Sequence, residues 1–410
     1  MPEETAQAGG GMSAEKIQHG TALFLRTNLA LFCAGFATFS LLYCVQPLLP
    51  VLSAEFHVGA PEASLALSLT TGLLSVSILV AGMVSDIWGR KAIMVASLLS
   101  SAVLTMICAV VPHWPTLLVM RALTGVTLAG LPAVAMAYVG EEMHPRSLGL
   151  AMGLYVGGTS LGGMSGRLLT GVVTDLWDWR TAVMTIGLIG LLSALILWRS
   201  LPPSRHFVRR EPRPGVLLRA FAVQFSDPVL PLLFLEAFVL MGGFVTIYNY
   251  IGYRLVAAPF LLSQTEIGLI FTVYVCGTVS SAWIGGLAGR YGRRNVFPVP
   301  VVLMLTGVAL TLSGTLWVIV AGIAVMTFGF FGAHSVASGW VGLQAKSGKA
   351  QASSLYLFAY YLGSSVVGSL GGFFWKHGGW PGVAGMTGTL ILIALALGAR
   401  LRALTGRAKS

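Results

Sequence analysis

Long apolar runs, broken at intervals by glycine, proline and short charged clusters, dominate this chain. A helix needs about 20 apolar residues to cross a hydrocarbon core about 30 Å thick. Read at that length, the pattern predicts twelve spans, at 28–50, 63–85, 91–111, 115–139, 147–173, 180–198, 227–251, 266–288, 295–313, 316–340, 350–374 and 381–399. One clear interruption, Arg199 to Arg219 with Pro202, Pro203, Pro212 and Pro214, divides them six and six. The expected organisation is a tail at 1–26, a six-helix half at 27–198, a linker at 199–226, a second half at 227–400 and a tail at 401–410. The predicted class is an all-α membrane protein of twelve transmembrane helices.

Composition narrows the alternatives. Of 410 residues, 56% are hydrophobic and 10% charged, with a mean hydropathy of +0.83. Soluble domains carry about 25% charged residues, so disorder, a disulfide scaffold and most soluble enzymes are excluded. The apolar run after residue 26 is too long for a signal-peptide core and has no small-residue cleavage site, so it is read as the first span. Cys33, Cys44, Cys108 and Cys276 sit in apolar runs without paired spacing and read as small core residues.

The net charge of +11 changes the picture only through its distribution. Nucleic-acid binding gathers basic residues on one face of a domain, whereas here they occupy short breaks between spans. Lys16, Arg26, Arg90, Lys91, Arg146, the linker arginines, Arg290, Arg293, Arg294, Lys346, Lys349 and the C-terminal tail fall on one side. The other side receives only Arg180, Arg254 and Lys376. The positive-inside rule then predicts that both termini are cytoplasmic.

The two halves repeat. Gly82–Lys91 (GMVSDIWGRK) closes the second span, and Gly285–Arg294 (GGLAGRYGRR) closes the eighth about 203 positions later. The fifth and eleventh spans also share a pattern, SLGLAMGLYVGGTSLGG against QASSLYLFAYYLGSSVVG. Two parallel repeats of six helices are one known transporter architecture. Gly82, Asp86, Gly89, Arg90 and Lys91 match the G-x-x-x-D-x-x-G-R-K loop of the major facilitator superfamily, and the resemblance covers nearly the whole chain after residue 26. It is most similar to bacterial twelve-span proton-coupled efflux permeases, including multidrug and arabinose-type sugar exporters. The resemblance implies that this loop acts as a conformational latch; a charged turn that only sets topology is the competing reading. The resemblance implies that Asp86 faces the N-terminus of span eleven, near Ala350. The glycines are expected to allow a tight turn and close helix contact, and Arg90 to pair with Glu141 or Glu142. The second copy has Gly289 in place of the acid.

Three charged residues lie within spans: Arg121, Arg167 and Glu236. Each is costly at depth unless paired or hydrated, and together they are the candidate proton-coupling set. Burial favours a neutral carboxylate and a nearby arginine restores the charged one; a fixed ion pair is the competing reading. Arg121 opens RALTGVTLAG, which resembles the family's R-x-x-Q-G motif with Thr124 in the glutamine position. Tyr43 and Gln46 in span one, Tyr248 and Asn249 in span seven, and His334 in span ten are candidates for lining a central substrate cavity.

Gly158–Gly162 formally matches a serine-hydrolase elbow but lies in an apolar helix, where that motif has no strand to start from. Two small-residue ridges, Gly149–Gly153–Gly157 and Gly158–Gly162–Gly166, are expected to pack closely against other helices. No zinc, nucleotide or phosphate motif is present, and neither a cofactor nor an enzymatic activity is expected. The resulting expectation is a monomeric, multi-pass transporter of a bacterial inner membrane, exporting a small organic solute such as a drug-like compound or a sugar in exchange for protons. An importer, or a sensor or scaffold without transport, are the rival expectations.

Overall fold

The computed structural model describes residues 16–207 and 214–407, nearly all of them helical. The first half contains α1 (Ala22–Tyr43), α2 (Ala60–Trp88), α3 (Arg90–Val110), α4 (Trp114–Glu142), α5 (Pro145–Leu176) and α6 (Trp179–Ser200). The second contains α7 (Leu230–Val256), α8 (Gln264–Tyr291), α9 (Arg293–Leu310), α10 (Leu316–Gln344), α11 (349–378) and α12 (380–407). Ten segments are long and apolar enough to cross a membrane, the last of them being α11 and α12 run together. Gly379, at φ 54° and ψ −147°, breaks that segment in two just before Pro381. With the glycine-rich α5, 32 residues long, the described residues form twelve rods.

Several boundaries differ from the sequence expectation, and proline explains the clearest. Span one is not 28–50: α1 begins at Ala22, capped by the Thr21 side chain, and ends at Tyr43. The ring of Pro47 opposes the carbonyl four residues earlier, that of Tyr43, and a short helix, Leu49–Phe56, follows. By the same geometry α4 is interrupted after Leu128 and resumes at Pro132. Residues 22–26 therefore belong to α1 rather than to a tail, and α12 runs past residue 400.

The linker is partly structured. Lys91 Nζ donates to the Leu201 carbonyl at 2.6 Å, and the Tyr138 hydroxyl to that of Pro202 at 3.0 Å. A buried Glu142 carboxylate accepts from the Arg205 and His206 amides at 2.7 and 2.8 Å. Farther on, the helix Pro214–Gln224 is tied to the second half by Gln224 Nε2 donating to the Ser347 carbonyl at 3.1 Å. Arg209, Arg210 and Arg213, most of the N-terminal tail and Lys409 lie outside the described residues.

Glycine decides how α1 meets α5. A Cβ at Gly158, Gly162 or Gly166 would overlap the α1 backbone at Phe32, Phe36 and Ser40 respectively. The other ridge does not pack: Cβ atoms at Gly149, Gly153 and Gly157 would meet nothing within 4 Å. Gly162→Val is therefore expected to cost at least the ~1–3 kcal/mol of an overpacked core, and Gly149→Ala less than ~0.5 kcal/mol. Thermal unfolding of the detergent-purified variants checks the contrast.

Among the described residues, the hydrogen bonds between the halves run from the end where α1, α5 and α7 finish to Ser365 at the middle of α11. Gln46 Nε2 donates to Asn249 Oδ1 at 2.7 Å, the Ser53 and Tyr253 hydroxyls meet at 2.7 Å, and Tyr253 also donates to the Leu49 carbonyl. Ser365 donates to the Ser68 carbonyl at 2.7 Å. The Asp175 carboxylate accepts from the Gln264 and Thr265 amides at 3.1 and 2.7 Å. At that end Arg180 and Arg254 satisfy the carbonyl ends of α3 and α9, through Ala109 and Val111 and through Thr311 and Ser313.

Candidate functional site

A cavity of about 400 Å³ lies between the halves. Its walls come from α1, α5, α7, α8, α10 and α11. On the α5 side Gly153, Gly157, Ser160 and Gly163 leave room where larger side chains would fill it. Opposite stand aromatic rings: Phe244, Tyr274, Phe330, Phe331, Tyr360 and Tyr361, with Phe39 and Tyr43 from α1. Phe244 and Phe330 stack at 3.8 Å with an interplanar angle of 13°, which makes that wall flat and rigid.

Arg167 enters this wall from α5 and is only 2% exposed. Its Nε donates to Gln46 Oε1 at 2.7 Å and an Nη to the Gly163 carbonyl at 2.5 Å. The guanidinium carbon lies 4.2 Å from the Tyr43 ring centre and 4.9 Å from those of both Phe271 and Tyr274. Through Gln46 the arginine is connected to Asn249 of the other half. A continuous polar chain thus runs from the cavity wall to the sealed face.

Of the five predicted cavity residues, Tyr43 and His334 line the space. The His334 Nδ1 lies 2.9 Å from the Tyr356 hydroxyl, and its ring packs on Phe330 and Tyr360. Gln46, Tyr248 and Asn249 stand outside the lining. The Tyr248 hydroxyl lies 2.7 Å from that of Thr327 while its ring stacks on Phe271. Sequence reasoning missed Tyr274, Tyr360 and Tyr361. Their signal was aromatic residues on the inward faces of two different helices, α8 and α11, which only the helix arrangement reveals.

The predicted coupling set is not assembled. Glu236 is fully buried in α7, six residues after the helix begins and so about 9 Å along it, and both of its oxygens lack a partner. A Cβ added at Gly398 of α12 would lie 3.8 Å from its Oε1, which places the carboxylate inside the second half rather than on the cavity wall. None of the ion pairs among the described residues includes it. Arg121, also fully buried, donates to the carbonyls of Ala66, Leu41 and Leu42 at 3.0, 3.0 and 2.8 Å. It holds α4 to the end of α1 and to α2, and it meets neither Glu236 nor Arg167.

The Gly82–Lys91 segment is mostly helix rather than loop, with α2 running to Trp88 and turning at Gly89, φ 92°. Its repeat mate Gly292 turns in the same way at φ 86°. Gly82 makes no close helix contact, since a Cβ there would meet nothing within 4 Å. Arg90 pairs with Glu141 at 2.7 Å and with Asp86 at 2.8 Å; Glu142 is occupied by the linker. Asp86 makes no hydrogen bond to α11 among the described residues. The helix N-terminus that does receive a carboxylate across the halves is that of α8, from Asp175, a residue the sequence did not single out. Cys276 faces outward rather than into a core.

Two six-helix halves around a central cavity, sealed at one end, define a polytopic membrane transporter. The sequence matches the Major Facilitator Superfamily over residues 31–258 and again over 237–410, and the chain belongs to that family. It is 49% identical over 390 residues to the inner membrane transport protein YnfM of Escherichia coli (strain K12), covering 94% of this chain and 92% of that protein. It is 47% identical to the uncharacterized MFS-type transporter YybF of Bacillus subtilis (strain 168), covering 92% and 94%. Among solved structures, an inward-facing bacterial homologue of the human lysosomal transporter Spinster superposes with a TM-score of 0.72 at 15% identity, covering 93% of this chain and 96% of that one. A point mutant of the nucleoside transporter NupG superposes at 0.74, also at 15% identity, covering 92% and 99%.

Proposed function

We propose that this protein exports a small organic solute across a bacterial inner membrane in exchange for protons, by alternating access. The carrying observation is the cavity between halves whose mutual hydrogen bonds lie from mid-helix toward one end. With both termini cytoplasmic, as the distribution of Lys and Arg implies, that end is external and the described state is inward-facing. Glu236 is the proton carrier in this reading. An ionised carboxylate in an apolar surround without a partner is expensive, and binding a proton removes that cost. The halves then change state with the proton bound or released.

Two carboxylates would act as opposed latches in this cycle. Asp175 holds the N-terminus of α8 while the external face is closed. Asp86, now engaged with Arg90, takes the N-terminus of α11 when the cytoplasmic face closes. A carboxylate at a helix N-terminus contributes ~0.3–1 kcal/mol, up to ~2 when partly buried, and ~1.4 kcal/mol shifts a two-state ratio tenfold. Asp86→Asn is therefore expected to raise the cytoplasmic accessibility of a cysteine placed at Ser354 and to slow turnover. Asp175→Asn should lower that accessibility. Equal labelling in both variants and the parent would reduce the two acids to surface charges.

Everted vesicles test the whole cycle. An imposed gradient, acid inside, is expected to drive solute uptake, whereas a symporter needs the opposite gradient. Orientation has its own check: a cysteine at Ser204 should resist an impermeant maleimide in intact spheroplasts.

A further inference from the structure

The cavity wall carries a cation and no anion. Among the described residues, Arg167 is its only Lys, Arg, Asp or Glu, and none of the ion pairs includes it. Its partners are an amide oxygen, a backbone carbonyl and three ring faces. These satisfy hydrogen-bond donors and soften the cost of burial, but they leave the positive charge uncompensated. A buried charge without a counter-charge is strongly unfavourable, so the wall favours an entrant that brings the missing negative group. A guanidinium fork can hold a carboxylate through two hydrogen bonds. The remaining lining is dominated by flat rings, with Tyr360, Tyr361 and the stacked Phe244–Phe330 pair facing the space. A cationic solute finds no acid here, because Glu236 lies off the wall. A sugar finds mostly ring faces where it needs fixed polar partners.

We propose that the solute is an aromatic organic anion, its carboxylate or comparable oxyanion on Arg167 and its ring system between the aromatic walls. The proposal rests on reading this cavity as the transport site and narrows that reading to one chemical class. A volume of about 400 Å³ falls within the ~300–1,000 Å³ of ordinary small-molecule pockets, so the whole solute fits inside.

The test is equilibrium binding to the full-length protein in lipid nanodiscs, by calorimetry, with three probes sharing one ring system: 2-naphthoate, 2-naphthamide and 2-naphthylmethylammonium. Naphthoate is expected to bind at least about tenfold more tightly than the amide, as a charge-assisted pair requires, and the ammonium compound more weakly than either. Arg167→Gln should reduce naphthoate to the level of the amide while leaving the amide unchanged, and Arg167→Lys should keep part of the preference. Naphthoate that binds no better than naphthamide in the unaltered protein overturns the proposal, and that comparison needs no variant to fold. Full displacement of naphthoate by equimolar chloride or phosphate overturns the aromatic part, leaving a site for small inorganic anions. Proteoliposome flux separates this proposal from the transport reading beneath it. Naphthoate bound through Arg167 but never moved refutes transport by this cavity and spares the anion site. Vigorous flux of the ammonium compound, unaltered by Arg167→Gln, spares transport and refutes the anion class.

Discussion

Glu236→Gln is expected to abolish uphill solute movement driven by a pH gradient while leaving solute exchange at equal pH intact. The substitution keeps the size and shape of the side chain and removes its capacity to release a proton. The carboxylate has no hydrogen-bond partner to lose, so the amide should fold into the same space beside Phe297 and Gly398. Thermal unfolding of the purified variant is therefore expected to match the parent, which separates a coupling defect from a folding defect. Gradient-driven uptake and counterflow in the same proteoliposomes make the decisive pair of measurements. Preserved uphill transport would take Glu236 out of the cycle.

Arg121→Met should fail differently, by instability rather than uncoupling. The Leu42 carbonyl loses its side-chain donor, while those of Ala66 and Leu41 lose the guanidinium and keep Thr70 Oγ1 and Cys44 Sγ. A buried polar group left unsatisfied costs ~1–3 kcal/mol, and no water in the hydrocarbon region is at hand to replace the guanidinium. A loss of roughly 1–3 kcal/mol is expected, read as a lower melting temperature and poor recovery from detergent extraction. Lysine at this position retains the charge but cannot reach three carbonyls in one plane, so it should rescue only part of the loss. A stable Arg121→Met protein that has merely lost its proton dependence would instead move Arg121 into the coupling machinery.

The two arginines show where sequence reasoning stopped. Both were legible as charges buried in apolar runs, because such residues are rare and costly. What they touch was not legible: Arg121 turns to the frayed carbonyl end of α1, Arg167 to a ring of aromatics supplied by other helices. The rods themselves were clear from run length alone. The end of α1 was not, because Pro47 sits within an apolar run and acts on the backbone through its ring rather than through hydropathy. The glycine ridges of α5 looked equivalent, yet one packs on α1 and the other leaves the cavity open. That choice depends on which face of α5 turns to α1, a rotation no local pattern records. Nothing in the sequence marked Asp175, whose role depends on the start of α8 lying against it.

The hydrogen bond between Gln46 and Asn249 joins residues 203 positions apart, the same interval that separates Gly89 from Gly292. Each residue is thus the other's counterpart under the two-fold relation between the halves, and counterparts can touch only on the symmetry axis. An amide donates and accepts at once, so it is one of the few side chains able to satisfy a copy of itself. Carboxylates would repel there, and ammonium groups would offer donors alone. The bond runs one way only: Gln46 Oε1 accepts from Arg167 instead, and among the described residues Asn249 Nδ2 has no partner. When the joined face parts, Gln46 keeps Arg167 as a partner in its own half, and Asn249 is the group left to rehydrate.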